Sequence, residues 1–341
     1  MDVLSDVLNT VRLRSAIQFC TELTAPWGFS VPAAQGSGGA QNDHATFYVV
    51  ARGSCYLEIE GHKAPVSLVG GDFVMLVHGN AHILRDHPDS PAVPLERLAK
   101  KFHRHDACHA FHHGGGGSLT TLVAGSFTFE NPASKPFLAT LPALIHIQGE
   151  RGQLVPWLET TLKWMAAETT SNNPGAHIMA SRLTDILFIQ ILRAHIAEHA
   201  GSVGGCEEKA GWLRALADAN IGKALELVHE QPDHPWTVAE LASRVNMSRT
   251  SFSLRFAQLS GMPPLSYVTK WRMLKAGDLL HQDAATISEI AAAVGYESEA
   301  SFSKAFKREM GVAPGTYRKE ERNGVAIGVP PSGRTHASIK E

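Results

Sequence analysis

Residues 237–267, TVAELASRVNMSRTSFSLRFAQLSGMPPLSY, recur as residues 286–317, TISEIAAAVGYESEASFSKAFKREMGVAPGTY. Thr237, Leu241, Ala242 and Val245 match Thr286, Ile290, Ala291 and Val294 at an offset of 49. Phe252, Phe256, Gly261, Pro264 and Tyr267 match Phe302, Phe306, Gly311, Pro314 and Tyr317 at an offset of 50, so one residue has entered the turn between the two blocks. A chain that repeats such anchors builds one small unit twice.

Each copy reads as helix, tight turn, helix. Thr237 and Thr286 are positioned to cap the first helices, and Glu240 and Glu289, three residues on, complete capping boxes. Gly295 stands where the chain leaves the first helix of the second copy and tolerates the positive φ of a C-cap; Asn246 takes that place in the first copy. Ser248 and Ser298 cap the second helices. Phe252 with Phe256, and Phe302 with Phe306, are four apart and share a core-facing side. The other sides carry Arg249, Thr250, Ser251, Ser253, Leu254 and Arg255 in one copy, and Glu299, Ala300, Ser301, Ser303, Lys304 and Lys307 in the other. Short hydroxyl and long basic side chains suit base edges and phosphates in a major groove.

The net charge of −2 gives no global sign of nucleic-acid binding, so the signal has to be local. It is: from Arg244 to Lys275 the chain has six basic residues and no Asp or Glu. The helix expected over 264–280 then spaces the two units.

These segments, with SYVTKWRMLKAGDLL between them, resemble the DNA-binding domain of the AraC/XylS family of bacterial transcription regulators. The resemblance implies two helix-turn-helix motifs, about 238–259 and 286–309, on successive major-groove segments of double-stranded DNA, roughly 34 Å apart. It also implies RNA polymerase as a partner. Carried over by position, the base-facing residues of the first motif are Thr250, Ser253 and Leu254, flanked by Arg249 and Arg255. In the second motif they are Glu299, Ala300, Ser301, Ser303 and Lys304, with Ser298 and Lys307 alongside.

Upstream, short β-like runs broken by Gly, Pro, Asn and Asp fill residues 18–130, as in a sandwich or barrel. GDFVMLVHGNAH, 71–82, is similar to the second motif of the cupin-like sensor domains joined to AraC-type regulators. The implied fold is a jelly roll whose interior takes a small-molecule effector, with His44 and His82 as candidate contacts. The fold class expected is therefore α+β in two domains: a cupin-like barrel with helices over 1–150, then an all-α DNA-binding domain over 211–320. A helical region over 151–200 has an apolar face wide enough for a homodimer, 201–210 reads as a linker, and 321–341 as a disordered tail.

Residues 85–117, rich in His and closing in four glycines, read as a long loop. His103, His105, Cys108 and His109 within it could hold zinc. A metal- or redox-responsive regulator, or a metal-dependent cupin enzyme tethered to DNA, are the rival readings. The reading preferred over them is an effector-responsive regulator that is not an enzyme. Cys20, Cys55, Cys108 and Cys206 form no CxxC pair and the first residues lack a signal-peptide pattern, so a cytosolic protein with reduced thiols is expected. No run approaches the ~18 apolar residues of a membrane span.

Overall fold

A computed structural model describes residues 2–11, 13–33, 44–99, 111–129, 138, 141–149, 160, 161, 164, 173–199, 211–282 and 285–322. Helix α1 (Val3–Val11) leads into β1 (Leu13–Thr24), β2 (Gly28–Val31), β3 (His44–Arg52), β4 (Ser54–Ile59), β5 (Val66–Val69), β6 (Phe73–Leu76) and β7 (His82–Arg85). Then come β8 (Val93–Pro94), α2 (Leu95–Ala99), β9 (Phe111–Gly114), β10 (Leu119–Phe129) and β11 (Leu144–Ile147). The strands form a six-stranded sheet, β11-β6-β3-β10-β1-β9, and a five-stranded sheet, β5-β4-β7-β2-β8.

The strand FYVV in β3 explains the layering. Along a strand, alternate side chains face opposite ways. Tyr48 and Val50 enter the space between the sheets with Phe29, Leu57, Leu68, Leu84 and Leu122. Phe47 and Val49 leave by the other face and join Phe73, Met75, Phe127 and Ile145 beneath helices. Because this sheet is covered on both sides, its central strand is apolar throughout instead of alternating.

Helix α3 (Ala176–His199) covers this sheet, packed on β1 and β11, and α1 joins the same apolar core through Val3, Leu4, Val7 and Val11. Phe127 lies 4.9 Å from Phe47 and 4.6 Å from Phe188 of α3, ring centre to ring centre. Burying Phe188 contributes about 1.5–3 kcal/mol. Asp185 accepts the Ser15 hydroxyl at 2.6 Å, tying α3 to β1. One side of α3, with Leu187, Ile191 and Leu192, is buried, whereas Ile178, Met179 and Ile186 stay exposed.

The C-terminal helices are α4 (Trp212–Ala217), α5 (Ala219–Glu230), α6 (Val238–Arg244), α7 (Arg249–Ser260), α8 (Pro264–Gln282), α9 (Ile287–Ala293), α10 (Glu299–Met310) and α11 (Pro314–Arg322). The apolar core behind the larger sheet runs on through α1 and α3 into this half, reaching Trp212, Leu225, Val228 and Trp271. A second cluster, around Phe302, Phe306 and Tyr317, belongs to α8–α11 alone.

The expected loop over 85–117 is corrected in part. Within it β8 pairs in parallel with β2, α2 buries Leu98, and β9 pairs in parallel with β1 at the sheet edge. Polar composition concealed edge strands whose partners lie far off in the sequence. The expected linker 201–210, most of residues 151–172 in the helical region expected over 151–200, and residues 323–341 lie outside the described residues. Among the described residues no helix is long and apolar enough to cross a membrane.

Candidate nucleic-acid interface and effector cleft

The two copies of the repeat pack alike. Phe252 and Phe256 lie 5.6 Å apart and Phe256 meets Tyr267 edge-on at 5.8 Å. Phe302 and Phe306 lie 5.6 Å apart and Phe306 meets Tyr317 edge-on at 5.4 Å. The second helix of each copy is pinned by the same two aromatic rings, so the same helical positions turn outward.

The turns form as the sequence predicts. Asn246 adopts φ 55° and Gly295 φ 77°. At Gly295 a Cβ would also come within 2.5 Å of the Asp233 carbonyl oxygen, so the second copy admits glycine for space as well as for φ. Ser248 Oγ accepts the Ser251 N–H at 3.1 Å, and Ser298 Oγ accepts the Ser301 N–H at 3.2 Å. The hydroxyls of each Ser pair also meet at 2.9 Å. Ser251, Ser298 and Ser301 are thus engaged in capping.

The caps of the first helices differ. Thr286 Oγ1 accepts the Glu289 N–H at 3.2 Å while Glu289 Oε2 accepts the Thr286 N–H at 2.7 Å, a closed capping box. Thr237 likewise accepts the Glu240 N–H at 3.1 Å, but Glu240 Oε1 faces His234 Nε2 at 2.9 Å and Arg244 at 3.6 Å. The second capping box expected is therefore only half formed, because neighbouring donors divert the glutamate.

On α7, Arg249, Thr250 and Leu254 are exposed and Ser253 is half-buried. Leu254 is 60% exposed, a large apolar side chain left in water at the point opposite the Phe252–Phe256 seam. On α10, Glu299, Ala300, Lys304 and Lys307 are exposed and Ser303 half-buried, with Lys304 at the position of Leu254. Arg308, which sequence reasoning passed over, is also exposed on α10 and donates to Glu309 at 2.9 Å. Its spacing of four from Lys304 was the available signal. The connecting helix α8 is anchored by buried Tyr267, Trp271, Leu274 and Leu280, and its 19 residues span roughly 28 Å.

The acid-free basic segment is not uniformly free of acid in space. Arg244 faces Glu240 and lies 6.0 Å from the Trp236 ring. Arg272 turns inward to the carbonyl oxygens of Pro232 and His234 at 2.7 and 2.8 Å. Arg255 donates to Asp218 Oδ2 from Nε at 2.8 Å and from Nη2 at 2.5 Å. Chain proximity missed partners supplied by other helices.

In the sheet domain, His82 is 4% exposed. Its Nε2 lies 2.7 Å from the Tyr48 hydroxyl and its Nδ1 2.7 Å from the Asn80 carbonyl oxygen. Burial lowers the His82 pKa, against the Asn80 carbonyl, and burial raises that of Tyr48. The ring is neutral, donating to Asn80 and accepting from Tyr48. Both nitrogens are used, so His82 does not fit as a metal ligand. His44 does not join it: His44 is exposed at the start of β3, with Thr128 Oγ1 2.9 Å from its Nδ1.

A cleft of about 780 Å³ opens at this end of the sandwich, with His82, Ile59 and Val31 at its base, Glu58, Glu60 and Glu96 around it, and Lys63 on the turn after β4. Glu58 is already paired with Arg85 at 2.9 Å. His103, His105, Cys108 and His109 lie outside the described residues. Of their neighbours, His112 faces Glu22 at 3.1 Å. Among the described residues no three His, Cys, Asp or Glu side chains are grouped to hold a metal ion.

Comparison with known proteins matches both halves. Residues 2–197 fit the family model described as cupin, and residues 241–320 fit that of a helix-turn-helix domain. A Streptomyces lividans protein named as an AraC-like transcription regulator is 32% identical over 325 residues, covering 94% of this chain and 98% of its own. The chain belongs to the AraC family of transcription regulators.

Another relative, the HTH-type transcriptional regulator AlkR of Acinetobacter baylyi, is 29% identical over 94% of this chain and all of its own. Among solved structures, the DNA-binding domain of AdpA in complex with a target DNA is 30% identical, covers 31% of this chain and 96% of its own, and has a TM-score of 0.30. This AraC-family protein is a DNA-binding transcription regulator with a cupin domain ahead of its paired helix-turn-helix motifs. Its α7 and α10 are the second helices of those motifs.

Proposed function

We propose that this regulator reads DNA through Thr250, Ser253 and Leu254 of α7 and Ala300, Ser303 and Lys304 of α10, with Arg249 and Lys307 on flanking phosphates. The observation that carries this is the equivalent seating of the two helices by Phe252–Phe256–Tyr267 and Phe302–Phe306–Tyr317, which turns those positions outward in both copies. Glu299 lies at the start of α10, where its charge favours the helix terminus and disfavours a phosphate.

The cupin domain takes a small-molecule effector in the cleft above His82, and binding there alters DNA affinity. The support is physical continuity: Tyr48 beneath the cleft shares strand β3 with Phe47, whose ring leads through Phe127 to Phe188 on α3, and α3 packs on α4. The protein acts by binding, without turnover, in the cytosol. It engages RNA polymerase and pairs with a second copy through the exposed Ile178, Met179 and Ile186 of α3.

The test is in vitro selection of duplex DNA by the full-length protein, followed by ligand screening for thermal stabilisation. Ligands that stabilise the wild type and fail to stabilise His82→Ala should change affinity for the selected DNA. If affinity and transcription stay constant across every stabilising ligand, the effector reading is wrong.

A further inference from the structure

We infer that Asp218 withholds Arg255 from the DNA backbone, so that this ion pair limits how much positive charge α7 presents to a duplex. Sequence position alone makes Arg255 a phosphate contact. The geometry gives it a different occupant. Both Nε and Nη2 of its guanidinium donate to Asp218 Oδ2, the carboxylate oxygen that is not used in capping α5, in charge-assisted hydrogen bonds.

Asp218 is firmly held for this task. It ends α4, with its own N–H on the Ala215 carbonyl oxygen, and it caps α5, with Oδ1 accepting the N–H groups of Asn220 at 3.0 Å and Ile221 at 2.9 Å. Its side chain is 9% exposed, while that of Arg255 is 47% exposed. Burial works to raise the carboxyl pKa, but the Ile221 N–H, Arg255 and the Asn220 N–H outweigh it, and the group stays anionic well below neutrality. A fixed carboxylate thus opposes a half-exposed guanidinium that a phosphate could also reach.

The location gives the restraint a regulatory use. Helix α4 packs on α3 of the sensor half and also on α7. Asp218 lies at the joint between α4 and α5, so a displacement of α4 changes the distance between Asp218 and Arg255. Released, Arg255 adds one backbone contact. This inference rests on α7 facing DNA, and the experiment is arranged to separate the two.

Affinity of the full-length protein for a random-sequence duplex of about 30 base pairs is measured against salt concentration. Each phosphate contact contributes about 0.9 to the slope of log affinity on log salt. Arg255→Ala is expected to leave the wild-type slope unchanged. Asp218→Asn, which keeps an N-cap oxygen for Asn220 and Ile221, is expected to steepen the slope by about 0.9. That is roughly a threefold larger loss of affinity between 50 and 200 mM salt. The double variant returns to the wild-type slope.

Arg249→Ala, on the same helix, should lower the slope by about 0.9 in every background, and its failure would count against the placement of α7 itself. With Arg249 behaving as expected, a slope lowered by Arg255→Ala alone, or left unchanged by Asp218→Asn, overturns the role given to Asp218. If Asp218→Asn melts too low for binding to be read, the Arg255→Ala arm decides.

Discussion

Asp6 Oδ2 of the first helix lies 3.7 Å from His229 Nδ1 of α5, where the histidine side chain is wholly buried between the sensor half and the DNA-binding half. The ring stacks on Trp271 with centres 3.6 Å apart, and its Nε2 is 2.9 Å from the Tyr267 hydroxyl. The separation from Asp6 is too long for a hydrogen bond. It is an electrostatic contact across the junction, and the charge on it depends on pH.

Burial lowers the His229 pKa; Asp6 opposes this without cancelling it, and Lys275 adds to it. The neutral ring is therefore favoured in the fold, and the unfolded chain binds the extra proton first. Stability from this site is present above the unfolded value of about 6.5 and is lost as pH falls toward the folded value. Burial shifts His82 the same way. Melting temperature should hold from pH 8 to 7 and fall between about 6.5 and 5. Asp6→Asn should steepen the fall, because burial then acts unopposed, and His229→Gln should make it shallower. A wild-type profile level down to pH 5 would contradict this account.

Tyr48→Phe isolates the hydroxyl beneath the cleft. The ring keeps its contact with Phe29, 6.4 Å away, while buried His82 Nε2 loses the partner it has at 2.7 Å. Stranding that acceptor should cost about 1–3 kcal/mol. Denaturant unfolding of the full chain measures it, and a cost below about 0.5 kcal/mol would mean that water or another group replaces the phenol.

How far the sequence disclosed the molecule follows the range of the interactions. The caps at Thr237, Ser248, Thr286 and Ser298, the turn residues Asn246 and Gly295 and the Phe pairs all act within four residues of chain, and each stands where the sequence predicts. The β8 and β9 strands were obscured because their partners, Phe29–Ser30 and Thr21–Thr24, are set by sheet topology, not by local pattern. The site was legible to the same extent. Outward positions on α7 and α10 follow from helical spacing, but the Asp218 partner of Arg255 is 37 residues away and the Asp6 partner of His229 lies in the other half of the molecule. His44 falls on the Tyr48 face of β3 by alternation but stands at the very end of the strand, where it is exposed and away from the cleft lining.

The unequal caps give unequal costs. Thr286→Ala removes an N-cap oxygen and also the 2.8 Å hydrogen bond from its hydroxyl to Glu289 Oε2, so a loss of about 1–2 kcal/mol is expected. Thr237→Ala removes only the acceptor for the Glu240 N–H and should cost about 0.5–1 kcal/mol. Glu240→Ala should act through His234 and Arg244, leaving the cap intact. Chemical denaturation of the three variants separates these effects, and equal costs for the two threonines would show that the closed box contributes nothing beyond the first hydrogen bond.

Leu254 and Lys304 occupy equivalent outward positions and should read DNA differently. A leucine offers only apolar contact, which suits a thymine methyl group, whereas a lysine donates to the acceptors of guanine. Leu254→Ala should relax preference at one base pair in selected DNA and leave the salt slope unchanged. Lys304→Ala should relax preference at a pair about one helical turn away, at a cost of about 1–3 kcal/mol on the best sequence. Selection followed by affinity measurement on single-base variants reads both. If the two substitutions affect the same base pair, the two copies do not lie in successive grooves. If Leu254→Ala changes nothing, the exposed leucine serves some purpose other than reading DNA.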